Sequence, residues 1–288
     1  EKYDLIIISQ PWGQTPMNAL DPNNDRDAAI LKCIATSNIT RKPDVYIQVT
    51  VPDEFQPLGN YNIGITAGVE TTVMPPELIE GCNRMDHVIV SSEFSKLVLE
   101  ESKFEKRDKQ TNNVIGHIEL TVPVTVIPEG YYADLYKVVN AKLYQDSNLV
   151  TSLNLNIKED FAFLFTGHWL KGPIGHDRKD VGMLIQTFCN TFRHKSSAKR
   201  PALVIKTSLG TYSTISKQDI EKRIKDIIAP FGDRAPNIYL LHGNLSDEEM
   251  NLLYNHPKIK AMVSFTHGEG FGRPLLEFTT TGKPVIAS

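Results

Sequence analysis

The sequence has little from which to build a disulfide framework, a zinc site or a membrane span. Its 288 residues include three cysteines, Cys33, Cys82 and Cys189, odd in number, widely spaced and without a Cys-x-x-Cys pair. Neither a disulfide scaffold nor a zinc motif is supported by that pattern, and a reducing compartment is the simpler reading. No apolar run approaches the ~20 residues a spanning helix needs, and no secretory signal is visible. A cytoplasmic location with no transmembrane segment is therefore expected. Charge of one sign is also scarce: 31 Lys and Arg oppose 34 Asp and Glu, for a formal net charge of −3. Bulk attraction to nucleic acid or to an anionic membrane is not implied, and no nucleic-acid partner is expected.

What is present is the composition of a soluble globular protein, 41% apolar and 23% charged. The length predicts two domains, placed at 1–150 and 151–288 with the linker within 131–155. The chain opens on Glu1, three residues before a predicted strand, and closes on Ser288, directly after another. Trimmed ends, as in a fragment, are expected.

In the first half, compact aliphatic runs predict strands at Asp4–Ser9, Asp44–Thr50, Asn62–Thr66 and Asp86–Ser92, with a further strand in Val122–Gly130. Asp25-Arg-Asp27 has the spacing of a metal-binding Asp-x-Asp. The apolar residues after it favour reading the two aspartates as the acidic first turn of a helix. Glu70 falls just past the C-terminal end of a strand, the edge at which open α/β sheets bind ligands. An acceptor-side or base role and a helix-opening role are both open to it. His87 sits within an apolar run and reads as a satisfied core or edge histidine. Lys103–Asn113 is charged, lacks an apolar period and reads as an exposed loop.

The second half alternates cleanly. Strands are predicted at Phe161–Thr166, Ala202–Ile205, Asn237–Leu241 and from Ala261. Helices are predicted at Val181–Phe192, Lys217–Ile228 and after the capping box that opens at Ser246. Such alternation implies a parallel, doubly wound sheet. Lys206-Thr-Ser208, at the end of one of the strands, either lines the cleft or forms a surface turn, and the surface turn is the favoured reading. The stretch around which everything is arranged is His267-Gly-Glu-Gly-Phe-Gly-Arg-Pro-Leu-Leu-Glu277, followed by Gly282-Lys-Pro-Val-Ile-Ala-Ser288. It reads as strand, glycine turn, helix and strand. Glycines let backbone amides approach a ligand, and a helix N-terminus favours phosphate. Glu269 and Glu277, eight positions apart, repel phosphate and are better placed to accept hydrogen bonds from hydroxyls. Amides for phosphate beside carboxylates for hydroxyls point to a sugar nucleotide.

This stretch resembles the E-x7-E donor site of retaining glycosyltransferases of the GT-B fold, the group around glycosyltransferase family 4. The segment Glu70-Thr to Phe94 and the Val-Ile-Pro-x-Gly ending at Gly130 are similar to the same group's N-terminal domain. The resemblance implies two Rossmann-like domains facing across a cleft, acceptor side first and donor side second. It implies that Glu277 binds ribose hydroxyls and Glu269 the donor sugar, with Gly270, Phe271, Gly272 and Arg273 at the sugar and phosphates. Lys179 matches the diphosphate-binding lysine. His168 stands where the group has arginine, a departure, so the second charge falls to a protonated His168, to Arg178 or to Lys171. The turn Gly243-Asn-Leu245 holds the nucleobase through backbone groups, and Gly13 in the loop after the first strand serves the acceptor side or is an ordinary turn. The implied activity is transfer from a nucleotide-diphosphate sugar to a hydroxyl of a glycan, a lipid-linked or a small-molecule acceptor. Retention, no metal and no cofactor beyond the co-substrate are expected, with Glu269 and Lys179 as catalytic candidates. The alternative is a non-catalytic module of the same fold that binds a nucleotide sugar or glycan.

Overall fold

The computed structural model describes residues 3–10, 20–36, 41–140, 142, 144, 155–170 and 172–288. Two parallel sheets organise it. The first is formed by β1 (Val45–Val49), β2 (Tyr61–Thr66), β3 (His87–Val90) and β6 (Val124–Val126), in the order β1-β2-β3-β6. Three helices accompany it: α1 (Asp25–Leu31), α2 (Pro76–Cys82) and α3 (Glu93–Glu101). Asn24 caps α1 by accepting from the amides of Arg26 and Asp27, which places Asp25 and Asp27 in an acidic first turn. Asp27 also accepts from the Asp21 amide at 3.0 Å. The core of this half gathers Phe55, Met74, Ile79, Cys82, Val88 and Leu99. His87 is satisfied on its strand, 2.8 Å from the Thr125 hydroxyl.

The expected strand at Asp4–Ser9 does not join this sheet. Only Ile7 bridges, to Ile34, and Leu5, Ile6 and Ile8 are exposed. An aliphatic run needs a neighbouring strand as well as a pattern, and β1 holds the edge instead. The expected loop at 103–113 is also corrected. β4 (Phe104–Arg107) pairs antiparallel with β5 (Val114–Ile118), around a turn that Asp108 fastens by accepting from Gln110, Thr111 and the Thr111 hydroxyl. A solvated hairpin needs cross-strand pairing and turn chemistry rather than apolar alternation.

The second sheet is formed by β7 (Ala162–Thr166), β8 (Ala202–Lys206), β9 (Ile238–Leu241), β10 (Ile259–Ser264) and β11 (Val285–Ala287), in the order β11-β10-β7-β8-β9 and all parallel. β8 is buried at every position, as a central parallel strand covered on both faces must be. One face packs on α4 (Val181–Phe192) and α5 (Thr214–Ile228) through Leu203, Ile205, Leu184, Phe188 and Ile220. The other packs on α6 (Asp247–Asn255) and α7 (Arg273–Thr279) through Leu164, Val204, Tyr254 and Phe278. Tyr136, Tyr144 and Ile157 join that second face, so chain from before the 150/151 division contributes to the C-terminal core. The division itself lies outside the described residues. The capping box at Ser246 and Glu249 is present in both directions. Among the described residues no helix is long and apolar enough to cross a membrane.

Candidate functional site

The glycine turn leaves the C-terminal end of β10 and enters α7, a helix of seven residues capped by Gly272 at φ 80°. Its surroundings explain its composition. A Cβ on Gly268 would lie 2.4 Å from Glu70 Cβ and 2.8 Å from the Glu70 carbonyl, and one on Gly270 would lie 2.9 Å from Ala67 Cβ. Ser91 donates to the Gly270 carbonyl at 3.0 Å. Those two glycines therefore admit the N-terminal half's 67–70 loop against the turn, a close approach of backbone to backbone that any side chain would prevent. Phe271 is half-buried within the same turn.

Two cations converge on the turn from the segment before α4. Lys179, 8% exposed, donates to Glu269, and Arg178, more exposed, donates to Glu70 across the two halves. The Arg178 carbonyl accepts from the His267 amide at 2.9 Å, which ties this segment to the turn. Asp180 follows in the left-handed region at φ 49°, its carboxylate 3.5 Å from His267 Nε2. His168, in the loop after β7, lies on the exposed side, with Nδ1 2.9 Å from the Ser208 hydroxyl. Partial burial and then the charges of Lys206, Lys179 and Arg178 push its pKa below the usual imidazole value. The turn after β9 carries Gly243, whose φ is 144° and beside which there is open space, with exposed Asn244 and with Leu245 packed on the core.

Glu277 sits at the edge of a cavity of about 500 Å³ between the two halves. Arg26, Glu129, Gly130, Tyr131 and Tyr132 line it from one side, and Tyr136, Asp247, Arg273 and Glu277 from the other. Glu277 is 5% exposed. Arg273 Nε lies 3.1 Å from one of its carboxylate oxygens, and the buried Tyr254 hydroxyl donates to the other at 3.3 Å. Burial holds the Glu277 carboxyl above the usual range, while Arg273 and the Tyr254 bond pull it back. Tyr136 donates to Asp247 at 3.1 Å, and Arg26 lies 4.5 Å over the Tyr132 ring. Five charged residues, three tyrosines and a glycine line the cavity.

The same architecture occurs in solved structures. A UDP-forming α,α-trehalose-phosphate synthase from Burkholderia xenovorans, in complex with glucose-6-phosphate, matches with a TM-score of 0.55 at 12% identity, over 80% of this chain and 53% of that one. The N-terminal domain of Candida albicans trehalose-6-phosphate phosphatase matches at 0.51 and 14% identity, over 86% of this chain and 56% of that one. A trehalose-6-phosphate structure from E. coli bound with UDP-2-fluoro glucose matches at 0.50 and 11%, over 78% and 52%. The fold is GT-B. The chain spans about half the length of these proteins. No protein-family model and no curated protein matches the sequence.

Within the GT-B frame, Lys179 and Glu269 are in contact, Arg178 and Glu70 are in contact, and Glu277 and Arg273 are in contact. Gly243 to Leu245 lie at the C-terminal edge of the second sheet, and Gly13 lies outside the described residues. Sequence reasoning missed Arg26, Tyr132, Tyr136 and Asp247 as cavity residues. In the sequence Arg26 belongs to an acidic helix start and Asp247 to a helix cap, and neither context marks a cavity. Lys206-Thr-Ser208 is corrected from a surface turn to a buried strand end, at 7%, 2% and 1% exposure.

Proposed function

We propose that this chain forms the catalytic body of a family 4-like, retaining glycosyltransferase. It would transfer a sugar from a nucleotide-diphosphate donor to a hydroxyl of a glycan, lipid-linked or small-molecule acceptor. The observation that carries the reading is the pairing, in a GT-B fold, of Lys179 with Glu269 at one end of the glycine turn and a buried Glu277 over an interdomain cavity at the other. Neighbours of the fold include UDP-forming synthases and a structure bound with a UDP-sugar analogue, which supports a nucleotide-sugar donor.

In the proposed reaction the bond between the anomeric carbon and the diphosphate oxygen breaks, its electron pair leaving with the diphosphate. Lys179 and Arg178, released from their carboxylates, stabilise that growing charge, which is the main catalytic requirement. The acceptor oxygen bonds to the anomeric carbon from the face the diphosphate leaves, and its proton passes to a phosphate oxygen. Glu277 accepts from the ribose hydroxyls and Glu269 from those of the sugar. Metal is not required, because the lysine and arginine supply the positive charge.

A module that binds donor without transferring it is the competing reading. A domain of a trehalose-6-phosphate phosphatase among the matches means that the fold alone does not decide. Incubating the protein with UDP-, GDP-, ADP- and TDP-sugars, and assaying transfer and donor hydrolysis with and without a chelator, separates the two. Binding with neither hydrolysis nor transfer favours the module. Complete loss of turnover with chelator, restored by Mn²⁺ or Mg²⁺, refutes metal independence.

A further inference from the structure

Lys206 closes β8 at the C-terminal edge of the second sheet, in register with Thr166 of β7 and Leu241 of β9. Its ammonium donates to the Gly243 carbonyl at 2.8 Å and lies 5.1 Å over the Tyr212 ring. Among the described residues no carboxylate pairs with it. Burial pulls its pKa below the usual lysine value. A carbonyl dipole and a ring face offset part of a unit charge but do not neutralise it, and a buried cation without a counter-ion is costly.

The surroundings of Lys206 are polar and incompletely satisfied. The hydroxyls of Thr166 and Thr207 are buried and have no hydrogen-bond partner among the described residues. The loops after β7 and β8 are stitched together by the Gly167 amide on the Lys206 carbonyl at 3.1 Å and the Trp169 amide on the Ser208 carbonyl at 2.9 Å. His168, on the first of these loops, senses the charge of Lys206 together with those of Lys179 and Arg178. Of those three cations, Lys179 and Arg178 each hold a carboxylate and Lys206 does not.

We propose that Lys206 is an anion-binding residue of the donor site, taking a phosphate oxygen of a nucleoside diphosphate. The inference rests on the donor-site reading above. The C-terminal edge of a parallel sheet is where such ligands bind. Tyr212, 45% exposed, is the cover that turns aside, since exposed side chains reorient within nanoseconds. The phosphate then replaces a ring face with a full counter-ion, and the orphan threonine hydroxyls lie on the strand ends beside it.

The test is calorimetric titration of the protein with UDP, GDP, ADP and inorganic pyrophosphate, comparing wild type with Lys206→Met and Lys206→Arg. Folding of each is checked by circular dichroism and thermal melting. Lys206→Met is expected to weaken pyrophosphate, and whichever nucleotide wild type binds, by at least ~10-fold. Lys206→Arg, which keeps the charge, should retain most of the affinity. A folded Lys206→Met with unchanged affinity for both probes overturns the proposal. If Lys206→Met fails to fold, acetylation of wild type at limiting reagent, read by mass spectrometry, replaces it. Pyrophosphate must then shield Lys206, and equal labelling with and without it overturns the proposal. Pyrophosphate binding lost in Lys206→Met, with no nucleotide bound by wild type, keeps the anion site and rejects the donor reading. Binding of neither probe to wild type rejects both.

Discussion

Each acid at the glycine turn is held by a cation, and the two pairs differ in what that does. Lys179 is almost wholly buried against Glu269, so an arriving diphosphate has to exchange one anionic partner for another. Removing the lysine removes a preorganised charge at the leaving group. Lys179→Ala is expected to lower transfer by at least ~10²-fold, and Glu277→Ala by a similar factor, in steady-state assays with saturating donor. Near-wild-type rates in both would reject the site, whereas retained activity in Glu269→Ala would question that residue alone. Arg273 does something different at Glu277. Burial favours the neutral carboxyl there, and the guanidinium 3.1 Å away counters it. Taking Arg273 away raises the Glu277 pKa further, so the ionised acceptor of ribose hydroxyls is lost at a higher pH than in wild type. The donor dissociation constant of Arg273→Met, measured from pH 5 to 8, should therefore begin to rise with acidification earlier than that of wild type. A superimposable pH profile would show that Arg273 does not hold Glu277 ionised.

At the scale of elements, the second half of the chain was legible because its strands are covered on both faces and its helices carry their own signals. The predicted Val181–Phe192 helix has the observed bounds, and the Ser246 capping box opens α6 as read. In the first half four of the five predicted strands are present, and Asp4–Ser9 fails because a strand needs a neighbour that no local pattern reveals. The glycine turn is recognisable from its spacing; that Gly268 and Gly270 also admit the 67–70 loop, a partner nearly 200 positions away, is visible only in the structure. Lys206-Thr-Ser208 is polar and looked like surface, since a buried cation at a strand end has no periodic signature. Arg26, Tyr132 and Tyr136 converge only once the two halves meet. Two elements yield sharp expectations. Gly268→Ala drives a Cβ into the Glu70 backbone and should destabilise the protein by about 1–3 kcal/mol. Gly270→Ala, opposed only by the Ala67 methyl, should cost less, and the order of the two melting temperatures checks this. At the C-terminal end of α6, burial and the charges of Lys283, Lys258 and Lys260 push the His256 imidazole down to about 4. The unfolded chain binds that proton near the usual 6.5 and the folded chain does not. Stability therefore falls as pH drops from 6.5 towards 4, and the penalty is complete below that. His256→Gln should flatten this limb by about 1–2 kcal/mol after allowance for partial exposure, as read from denaturant melts at pH 7 and pH 4.5.

At the scale of the whole molecule, the two halves are joined at the site itself. Glu70 pairs with Arg178 across them, Ser91 donates to the Gly270 carbonyl, and the 67–70 loop fills the space left by two glycines. The Glu70–Arg178 pair is the one of these contacts that a phosphate can replace, because an arginine fork suits carboxylate and phosphate alike. Both side chains are about one-third exposed, so the pair is expected to contribute no more than about 0.5–1 kcal/mol. That is enough for Glu70 to compete with a donor for Arg178 by a factor of ~2–5. Glu70→Gln keeps the shape and removes the charge, and it should tighten pyrophosphate or nucleotide binding by that factor. In an Arg178→Met background the same substitution should change nothing, because the group competed for is gone. If Glu70→Gln instead weakens binding, Glu70 contacts the ligand directly. If it tightens binding equally in both backgrounds, its effect is a general electrostatic one, and the pair does not link the two halves to donor occupancy.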